Sequence, residues 1–584
     1  MPQEFSRLAR LSVTVAGFAV LAACGGGGDG PSGGLGGDPN PPPPGGTTVT
    51  VSGKITFDRL VFSSTPGAGL NANNPVESPA REVIVQAMSG SSVLASTTTD
   101  ANGDYSLTVS ANTNMFIRAR AQMQKTGAAP TWTFTVRDNT SSDAIYALDG
   151  STFNSGTAAL TKNLRAASGW GGTSYTGTRA AAPFAILDTV YRTKELIRGA
   201  SPNVQFPELN LYWSPTNRNV VDGQGNPIIC PDTGAIGTSF YFSDPSGRQT
   251  DQCQNPAVLP TGIYVLGAFD GGRNDTDEFD QHVIAHEFGH YFEDRFSRSD
   301  SIGGEHSTGN LLDLRVAFGE GWGNAFGAMA LNDPVYRDSS DGISHDFSFN
   351  LETGENTGNA IGWYSEASVG KFLWDVFDTP PDSGDNLALG FTPIFNVMVG
   401  PQVTTDALTS IFSFARALRA QNAGSGAAIS TLMGREDING TDDFGTNETN
   451  DGGVFGTLPV YKQISLGAPG QVYVCSVATA GDDGNKLGNR QFLVFRNDVS
   501  RAVQIRASGV TNNPSQDAAT DPDIYVHRRG EIVASGTTGS DDPAVSRVET
   551  VNTPTLAVGD YIIEVLDFDA TGSRPKCMTV SITG

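Results

Sequence analysis

The residues best suited to chemistry stand close together, in a chain with only six histidines among 584 residues. His286, Glu287 and His290 form the pattern HExxH, for which about 0.002 chance matches are expected at this histidine content. On a helix the two histidines share one face, so both can bind the same Zn²⁺ ion. Glu287 lies beside that face, where a carboxylate can accept a proton from a water molecule that the metal activates. The pattern predicts a zinc-dependent hydrolytic site, and His282, one turn earlier, is interpreted as an ordinary helix residue.

A catalytic zinc ion needs a third protein ligand, and the sequence offers two. His306 follows His290 by 16 residues in a Ser/Gly-rich stretch, and Glu320 follows it by 30 residues in a second helical pattern. A metzincin would have a histidine where this chain has Phe296. A ligand on a helix is better preorganised than one on a loop, which loses about 1–2 kcal/mol of conformational entropy per ordered residue. We therefore expect Glu320, and not His306, to bind the metal.

The run Glu320-Gly321-Trp322, placed after HExxH, resembles the gluzincins, the clan of zinc peptidases that includes thermolysin and fungalysin. This resemblance covers residues 180–380. It implies that Glu320 is the third ligand and that Glu287 acts as general base and then as general acid. It also implies a catalytic domain with a mixed sheet and a mostly helical lobe. The implied activity is zinc-dependent endopeptidase cleavage of extracellular or periplasmic proteins.

Two positions depart from the gluzincin pattern. The family has an aspartate four residues after its ligand glutamate, which orients a zinc histidine, and this chain has Asn324 there. An amide oxygen can accept the same imidazole N–H without a charge, so weaker zinc binding is expected. The family also stabilises the developing oxyanion with a histidine on a later helix, and the matching stretch 362–375 has none. Tyr364 is the candidate donor there, with a packing role as the alternative and His345 as a distant second candidate.

The predicted helix that carries HExxH, called the metal helix, must begin at a defined residue, bury one face and pack against a sheet. Asp277 and Asp280 can cap its first turn, and apolar or histidine side chains then recur with helical spacing from Phe279 onwards. Upstream, residues 262–267 have the pattern of a short strand that ends before this helix. The gluzincin resemblance implies that an edge strand near this point pairs with the substrate backbone, and the alternative is a buried strand.

The chain divides into three folded blocks after its N-terminal segment. Residues 47–128 alternate polar and apolar residues between turn signals and resemble the carboxypeptidase-regulatory-like β-sandwiches. Residues 129–460 mix helical stretches such as 183–197 with strands and polar loops, and form the predicted metallopeptidase domain. Residues 461–584 return to strands and resemble the pre-peptidase C-terminal β-sandwiches. The predicted fold class is multidomain α+β, with a gluzincin-type catalytic domain flanked by two antiparallel β-sandwiches.

An acidic, glycine-rich stretch, residues 434–453, precedes the last block. Its clustered carboxylates and amides can hold Ca²⁺, but they lack the EF-hand ligand spacing, which favours a solvated linker. Zn²⁺, which HExxH predicts, is the expected cofactor, and Ca²⁺ binding by residues 434–453 is left open.

The N-terminal residues have the features of an export signal. Two arginines precede an apolar run that is too short to span a bilayer, and residues 21–24 resemble the lipobox of bacterial lipoproteins. We expect a signal peptide over residues 1–23, lipidation of Cys24, and a flexible Gly/Pro linker over residues 24–46. A lipid anchor would hold the exported protein at the outer membrane or cell surface, facing the periplasm or the medium. An ordinary secretory signal with a chance cysteine is the alternative.

Four cysteines remain once Cys24 is assigned to lipidation. An even number in an oxidising compartment predicts two disulfides, for which three pairings are possible. Loop-closure entropy favours the scheme in which each bridge stays within one domain: Cys230–Cys253 and Cys475–Cys577.

The composition excludes several classes of function. A formal net charge of −25 at pH 7 leaves no basic surface for nucleic acid and disfavours anionic membranes except through a lipid anchor. With 38% hydrophobic residues the chain can build packed cores, so disorder of the whole is excluded. The expected partners are protein or peptide substrates, and the oligomeric state is left open. Two other functions stay possible: a surface binding or adhesion lipoprotein with a degenerate peptidase core, and an aminopeptidase of the same clan.

Overall fold

The structure is a computed structural model that describes residues 46–223, 227–243, 253, 259–270, 275–379, 385–467, 470–478, 484–510, 520–538, 547–568, 570 and 575–584. The predicted signal peptide, Cys24 and residues 24–45 of the predicted linker lie outside these residues. None of the helices in the described ranges combines the length and the apolar character that a membrane span requires. The fold is mixed and rich in β-structure.

The N-terminal block and the residues after it form twelve strands. They are β1 (Thr48–Arg59), β2 (Val76–Pro79), β3 (Val83–Ser89), β4 (Ser92–Thr98), β5 (Asp104–Ser110), β6 (Asn114–Lys125), β7 (Trp132–Asp138), β8 (Ala144–Ile145), β9 (Ala147–Asp149), β10 (Phe153–Asn154), β11 (Leu160–Thr161) and β12 (Leu164–Ala166). The long strand β1 pairs with β2, β5, β11 and β12 in a five-stranded sheet. Its buried side chains belong to the main core of the molecule.

The central region carries the helices. In chain order its elements are α1 (Ala182–Ala200), β13 (Leu209–Trp213), β14 (Phe240–Phe242), β15 (Gly262–Val265), α2 (Gln281–Phe296), α3 (Leu314–Leu331), β16 (Val335–Ser340), β17 (His345–Asn350), α4 (Glu366–Phe377), α5 (Phe391–Met398), α6 (Pro401–Thr404), α7 (Ile411–Gln421) and α8 (Gly426–Arg435). Helix α1 confirms the helix predicted over residues 183–197. Helices α2 and α3 lie where HExxH and Glu320 predicted them.

One large sheet crosses the predicted boundary at residue 128. Its strand order is β14-β15-β13-β7-β6-β3-β4, with β8, β9 and β10 paired at its sides. Strand β6 pairs antiparallel with β7 from Gln122↔Thr135 to Lys125↔Trp132, and β13 lies parallel to both β7 and β15. Strands β3, β4 and β6, from before residue 128, and β7, β13, β14 and β15, from after it, therefore belong to one continuous sheet.

Strand β15 is interior, contrary to the edge position that the gluzincin resemblance implied. It pairs with β13 on one side and with β14 on the other, and all four of its residues are buried. Strand β14 lies at the end of the sheet order instead. The buried-strand alternative is the one that the structure shows for β15.

The C-terminal block is a β-sandwich. Its strands are β18 (Tyr461–Ile464), β19 (Val472–Ser476), β20 (Arg490–Asn497), β21 (Gln504–Gly509), β22 (Pro522–Arg528), β23 (Glu531–Gly536), β24 (Val548–Asn552), β25 (Gly559–Asp567) and β26 (Lys576–Thr583). They form one sheet of order β18-β20-β25-β22-β23 and a second of order β19-β26-β21-β24. Buried residues from both sheets share a hydrophobic cluster of their own. Except for the parallel pair β18 and β20, the ladders are antiparallel.

Both predicted disulfides are confirmed. Cys230 is bonded to Cys253 in the central region, and Cys475 is bonded to Cys577 across the neighbouring strands β19 and β26. Disulfides persist in oxidising compartments, so the two bridges fit an exported protein.

A buried ion-pair cluster joins the C-terminal sandwich to helix α3. The Arg315 guanidinium donates to Asp313 Oδ1 and Oδ2 at 2.9 and 3.0 Å, and its Nη1 donates to Glu564 Oε2 at 2.9 Å. All three side chains are 2% exposed. Asp313 also caps α3 by accepting the Arg315 backbone N–H, so the start of this helix and the sandwich share one cation.

We expect Arg315→Ala to destabilise the protein by about 3–5 kcal/mol, because it leaves the buried Asp313 carboxylate without its cation, whereas Glu564 keeps Arg490. The effect is measured as a lower urea midpoint followed by circular dichroism. Arg496 is the matched control, because it pairs with Asp498 and Asp560 at the surface with 56% of its side chain exposed. If the urea midpoint of Arg496→Ala were as low as that of Arg315→Ala, the buried cluster would contribute no more to stability than a surface ion pair.

Candidate metal centre

Helices α2 and α3 bring together three side chains of types that can bind a metal ion. His286 Nε2 lies 3.0 Å from His290 Nε2 and 3.2 Å from Glu320 Oε2, and His290 Nε2 lies 3.3 Å from the same Glu320 oxygen. The three residues form one of the clusters that can hold a metal ion. Ligand atoms at about 2.0–2.1 Å from a tetrahedral zinc ion lie roughly 3.3–3.4 Å apart. The spacing of the donors therefore fits zinc.

Hydrogen bonding directs the lone pair of His286 towards the other two donors. Its Nδ1–H donates to Asn324 Oδ1 at 2.9 Å, which leaves Nε2 as the unprotonated nitrogen. Although burial acts to raise it, the pKa of Glu320 lies well below its usual range because of His306 and His290. A lone pair and a carboxylate that face each other at this distance call for a cation between them. Asn324 thus occupies the orienting position that the resemblance gave to an aspartate.

Close packing of α2 against α3 depends on glycine. A Cβ atom built at Gly323 would lie 2.8 Å from the His286 ring, and one built at Gly289 would lie 3.1 Å from Gly323 Cα. On the other side of α3, a Cβ at Gly321 would meet Val369 Cβ at 2.5 Å. The glycines on either side of Trp322 therefore let the histidine ring and helix α4 approach α3.

Glu287 lies beside the three donors and is buried. Its Oε2 accepts the backbone N–H of Tyr241 in β14 at 2.7 Å. Burial raises the pKa of Glu287 above its usual range, while His286 and His290 oppose that rise. A carboxylate with a raised pKa accepts a proton more readily than an ordinary carboxylate does.

His306 is the residue that the sequence predicted not to bind the metal, and it nevertheless lies next to the three donors. Its Nε2 lies 3.2 Å from Glu320 Oε2, and its Nδ1 lies 2.7 Å from Glu366 Oε2 at the start of α4. Burial acts to lower its pKa, but Glu320 and Glu366 raise the pKa of His306 to about 9. It is not a member of the donor cluster of His286, His290 and Glu320. The structure therefore places His306 beside the Glu320 carboxylate.

The loop that carries His306 is held by the C-terminal block. Asn485 Nδ2 donates to the carbonyl oxygens of Gly303 and Glu305 at 2.9 and 3.1 Å, and Lys486 Nζ donates to the Glu305 carbonyl at 2.7 Å. These contacts join residues about 180 positions apart in the sequence, so no local sequence pattern predicts them. The loop is thus far more constrained than its Ser/Gly-rich composition predicts.

Tyr364 and His345 are not placed as oxyanion donors. The Tyr364 hydroxyl donates to Asn450 Oδ1 at 2.7 Å, so its proton is already used away from the three donors. His345 Nδ1 lies 3.3 Å from Asp341 Oδ2 at the surface, with 63% of its side chain exposed. The packing alternative fits Tyr364, whose ring lies against Trp363 at 5.4 Å between centroids.

Two further sequence expectations concern the start of helix α2. Asp280 is the residue before α2, but its side chain does not cap the helix and instead accepts from Ser339 N and Oγ, both at 2.7 Å. Asp277 accepts from the Ser239 hydroxyl and begins a short 3₁₀ turn. The predicted capping role is therefore wrong for both aspartates. His282 Nε2 lies 3.1 Å from the Asp333 carbonyl, in keeping with an ordinary helix residue.

In the stretch 434–453, side-chain oxygens are engaged by nearby donors. Both oxygens of Glu448 accept backbone N–H groups, from Asn439 and Asn450 among others, at 2.8 and 2.9 Å. Asp443 is paired with Arg416. None of the possible metal clusters found among the described residues includes this stretch, and calcium binding there stays a prediction.

Comparison with known proteins identifies no family. No family model matches the chain, and no curated protein matches it. Among solved structures, the pre-peptidase C-terminal domain of collagenase from Bacillus anthracis is 12% identical, with 21% of this chain and 93% of that one covered and a TM-score of 0.15. The surface-associated copper-binding protein CorA of Methylomicrobium album BG8 is 10% identical, with coverages of 21% and 97% and a TM-score of 0.16. The periplasmic lysozyme inhibitor PliG of Aeromonas hydrophila is 12% identical, with coverages of 21% and 97% and a TM-score of 0.12. At these TM-scores the likenesses carry no argument about function.

Proposed function

We propose that this protein is a zinc-dependent metalloendopeptidase of gluzincin type that cleaves exported or extracellular proteins. The observation that carries the proposal is the trio of His286, His290 and Glu320, whose donor atoms lie 3.0–3.3 Å apart with Glu287 beside them. Two imidazoles and one carboxylate are the ligand set of a catalytic zinc ion that keeps an open position. When bound there, zinc supplies Lewis-acid polarisation of the scissile carbonyl and of a water molecule.

Glu287 moves the proton in this proposal. Its Oε2 is held by the Tyr241 amide, so Oε1 is the oxygen that we assign to the attacking water. The raised pKa of the buried carboxyl lets Glu287 hold that proton and pass it to the leaving nitrogen of the peptide. Asn324 keeps His286 in the tautomer whose Nε2 can bind the metal.

His306 is the group that we assign to the developing oxyanion. Glu366 fixes its ring through Nδ1, and its Nε2 lies 3.2 Å from Glu320 Oε2, the oxygen that we assign to the metal. Once that oxygen binds the metal, the Nε2–H is left to donate to the substrate. A fixed N–H donor at that position can stabilise the negative charge that forms on the substrate oxygen. His306 thus takes the role for which the later helix offered no histidine.

Strand β14 is the element that we assign to the substrate backbone. It ends the sheet order, and the N–H of its central residue, Tyr241, points to Glu287. An extended peptide that adds to the outer side of β14 would run past the catalytic carboxylate. Main-chain pairing of this kind suits an endopeptidase, which must hold the polypeptide on both sides of the cleaved bond.

Casein hydrolysis by the purified protein tests the proposed function. We expect activity that 1,10-phenanthroline abolishes and that added Zn²⁺ restores, with about one zinc per chain by elemental analysis. Hydrolysis of internal bonds in a peptide with a blocked N-terminus separates an endopeptidase from an aminopeptidase. Zinc binding without any hydrolysis would favour the alternative of a binding lipoprotein with a degenerate core.

Anchoring through Cys24 is part of the proposal for location. We expect Cys24→Ser to move the protein from the membrane fraction to the soluble fraction, because an acidic protein gains little from an anionic membrane surface. Immunoblots of fractionated cells that express each form measure the change. Retention of the variant in the membrane fraction would contradict the lipobox assignment.

A further inference from the structure

A second cluster of acidic side chains lies at the start of the metal helix. Asp275 and Asp277 come from the segment that enters α2, Asp280 is the residue before its first turn, and Asp338 lies on β16. One carboxylate oxygen from each lies within 4.8 Å of those of the others. Asp277 and Asp280 are 3% and 0% exposed. Four carboxylates thus meet at a place from which water is largely excluded.

The protein does not neutralise this charge within the described residues. In that part of the chain none of the four carboxylates has a Lys, Arg or His ion-pair partner within 4.0 Å. Three of them also hold a buried Oδ1 atom without a hydrogen-bond donor: Asp277, Asp280 and Asp338. Burial, with repulsion from the neighbouring aspartates, raises the pKa of these three carboxyls well above the usual range. Buried oxygens of this kind are rare in native proteins unless an ion or water satisfies them.

Helix capping does not account for the cluster. A single carboxylate at an N-terminus is enough to satisfy the first amides of a helix and its dipole. Asp280 stands at that position, yet its side chain accepts from Ser339 on β16 and makes no cap bond to α2. A cation that binds both segments explains why an aspartate from each contributes to the cluster.

We propose that Asp275, Asp277, Asp280 and Asp338 bind one Ca²⁺ ion that joins the start of α2 to strand β16. An all-oxygen donor set selects a hard cation and disfavours zinc, which prefers nitrogen and sulfur. Calcium accepts about six to eight oxygen ligands in flexible geometry, whereas Mg²⁺ demands near-ideal octahedral geometry and usually keeps several of its waters. Four carboxylates that meet where water is largely excluded therefore favour calcium.

The ion would support the zinc ligands without touching them. Tyr336, two residues before Asp338 on β16, packs its ring at 5.7 Å from the His282 ring and 6.4 Å from the His286 ring. A link between Asp280 and Asp338 therefore holds both the first turn of the metal helix and the aromatic ring against its histidines. The calcium ion is a positioning element in this account, and its binding is independent of peptidase activity.

Calcium titration of the full chain tests the proposal. Protein stripped with EDTA and reloaded with Zn²⁺ is titrated with CaCl₂ by isothermal calorimetry, and in parallel with MgCl₂. We expect about one Ca²⁺ per chain and a rise in Tm of about 2–5 °C at millimolar calcium. A wild-type protein that binds no Ca²⁺, or that binds Mg²⁺ and not Ca²⁺, would overturn the assignment.

Variants locate the ion. Asp338→Asn keeps every hydrogen bond that Asp277 and Asp280 make, so it should fold, and we expect its calcium affinity to fall by at least about 10-fold. The double variant with Asp280→Asn should lose the calcium-dependent rise in Tm, with zinc content as the check that it is folded. Asp341→Asn is the control, because it removes a nearby charge at a side chain that is 66% exposed. Calcium binding that is unchanged in Asp338→Asn would place the ion elsewhere, for instance in residues 434–453, and refute the proposal.

Discussion

Glu287→Gln is expected to keep about one zinc ion per chain and to lose about 10²–10⁴-fold in kcat/KM for casein. Glutamine has nearly the same shape as glutamate, so it can still accept the Tyr241 N–H that Glu287 Oε2 accepts at 2.7 Å. It cannot take a proton from water at neutral pH. His286, His290 and Glu320 are untouched, so metal binding and activity separate in this one variant.

The control for this variant is Glu355→Gln, a change of the same kind at an exposed side chain. Zinc content by elemental analysis and peptidase rates are compared for both variants and the wild type. A Glu287→Gln protein with full activity would remove Glu287 from the mechanism. A variant that loses zinc together with activity would mean that Glu287 acts on metal binding and not as the base.

The local part of the site could be predicted from the sequence because helix geometry fixes it. In HExxH the spacing alone puts His286 and His290 on one face, and the structure has their Nε2 atoms 3.0 Å apart. Glu320 was predicted from the advantage of a helical position over a loop, and it lies 3.2 Å from His286. These inferences needed only the periodicity of two helices and the ligand preference of zinc.

The position of His306 could not be predicted because long-range contacts determine it. Its loop is held by Asn485 and Lys486, which belong to the C-terminal block, and its ring is held by Glu366. Composition predicts the entropy of an isolated loop, but it does not show which distant side chains remove that entropy. The error about Tyr364 has the same origin, since Asn450 binds its hydroxyl from the acidic stretch.

Strand patterns predicted where many strands lie but not which strands pair. Alternation within residues 47–128 predicted β3 and β5 as strands, because alternation marks the buried face of a sheet. Alternation contains no information on neighbours, so the pairing of β6 with β7 across residue 128 was missed. The C-terminal sandwich was easier to predict as a unit, because the hydrophobic cluster between its two sheets comes from one contiguous stretch of chain.

The second prediction distinguishes the proposed metal ligand, Glu320, from the neighbouring His306. We expect Glu320→Ala to weaken zinc binding by more than about 100-fold and to abolish hydrolysis, since it removes one of the three protein ligands that we assign to the metal. His306→Ala should keep its zinc and lose about 10²–10³-fold in kcat, as expected when one oxyanion donor is removed. Zinc affinity measured by competition with a chromophoric chelator, together with casein kinetics, distinguishes the two outcomes.

His345→Ala is the matched control for His306→Ala, because the His345 imidazole is exposed at the start of β17 and pairs with the exposed Asp341. It should leave both zinc affinity and kcat unchanged. The experiment is needed because the two histidines lie almost equally near Glu320: the same Glu320 oxygen lies 3.2 Å from His306 Nε2 and 3.3 Å from His290 Nε2. Zinc lost with His306 and kept without Glu320 would reverse the assignment, because the metal would then be held by three histidines and the gluzincin interpretation would fail.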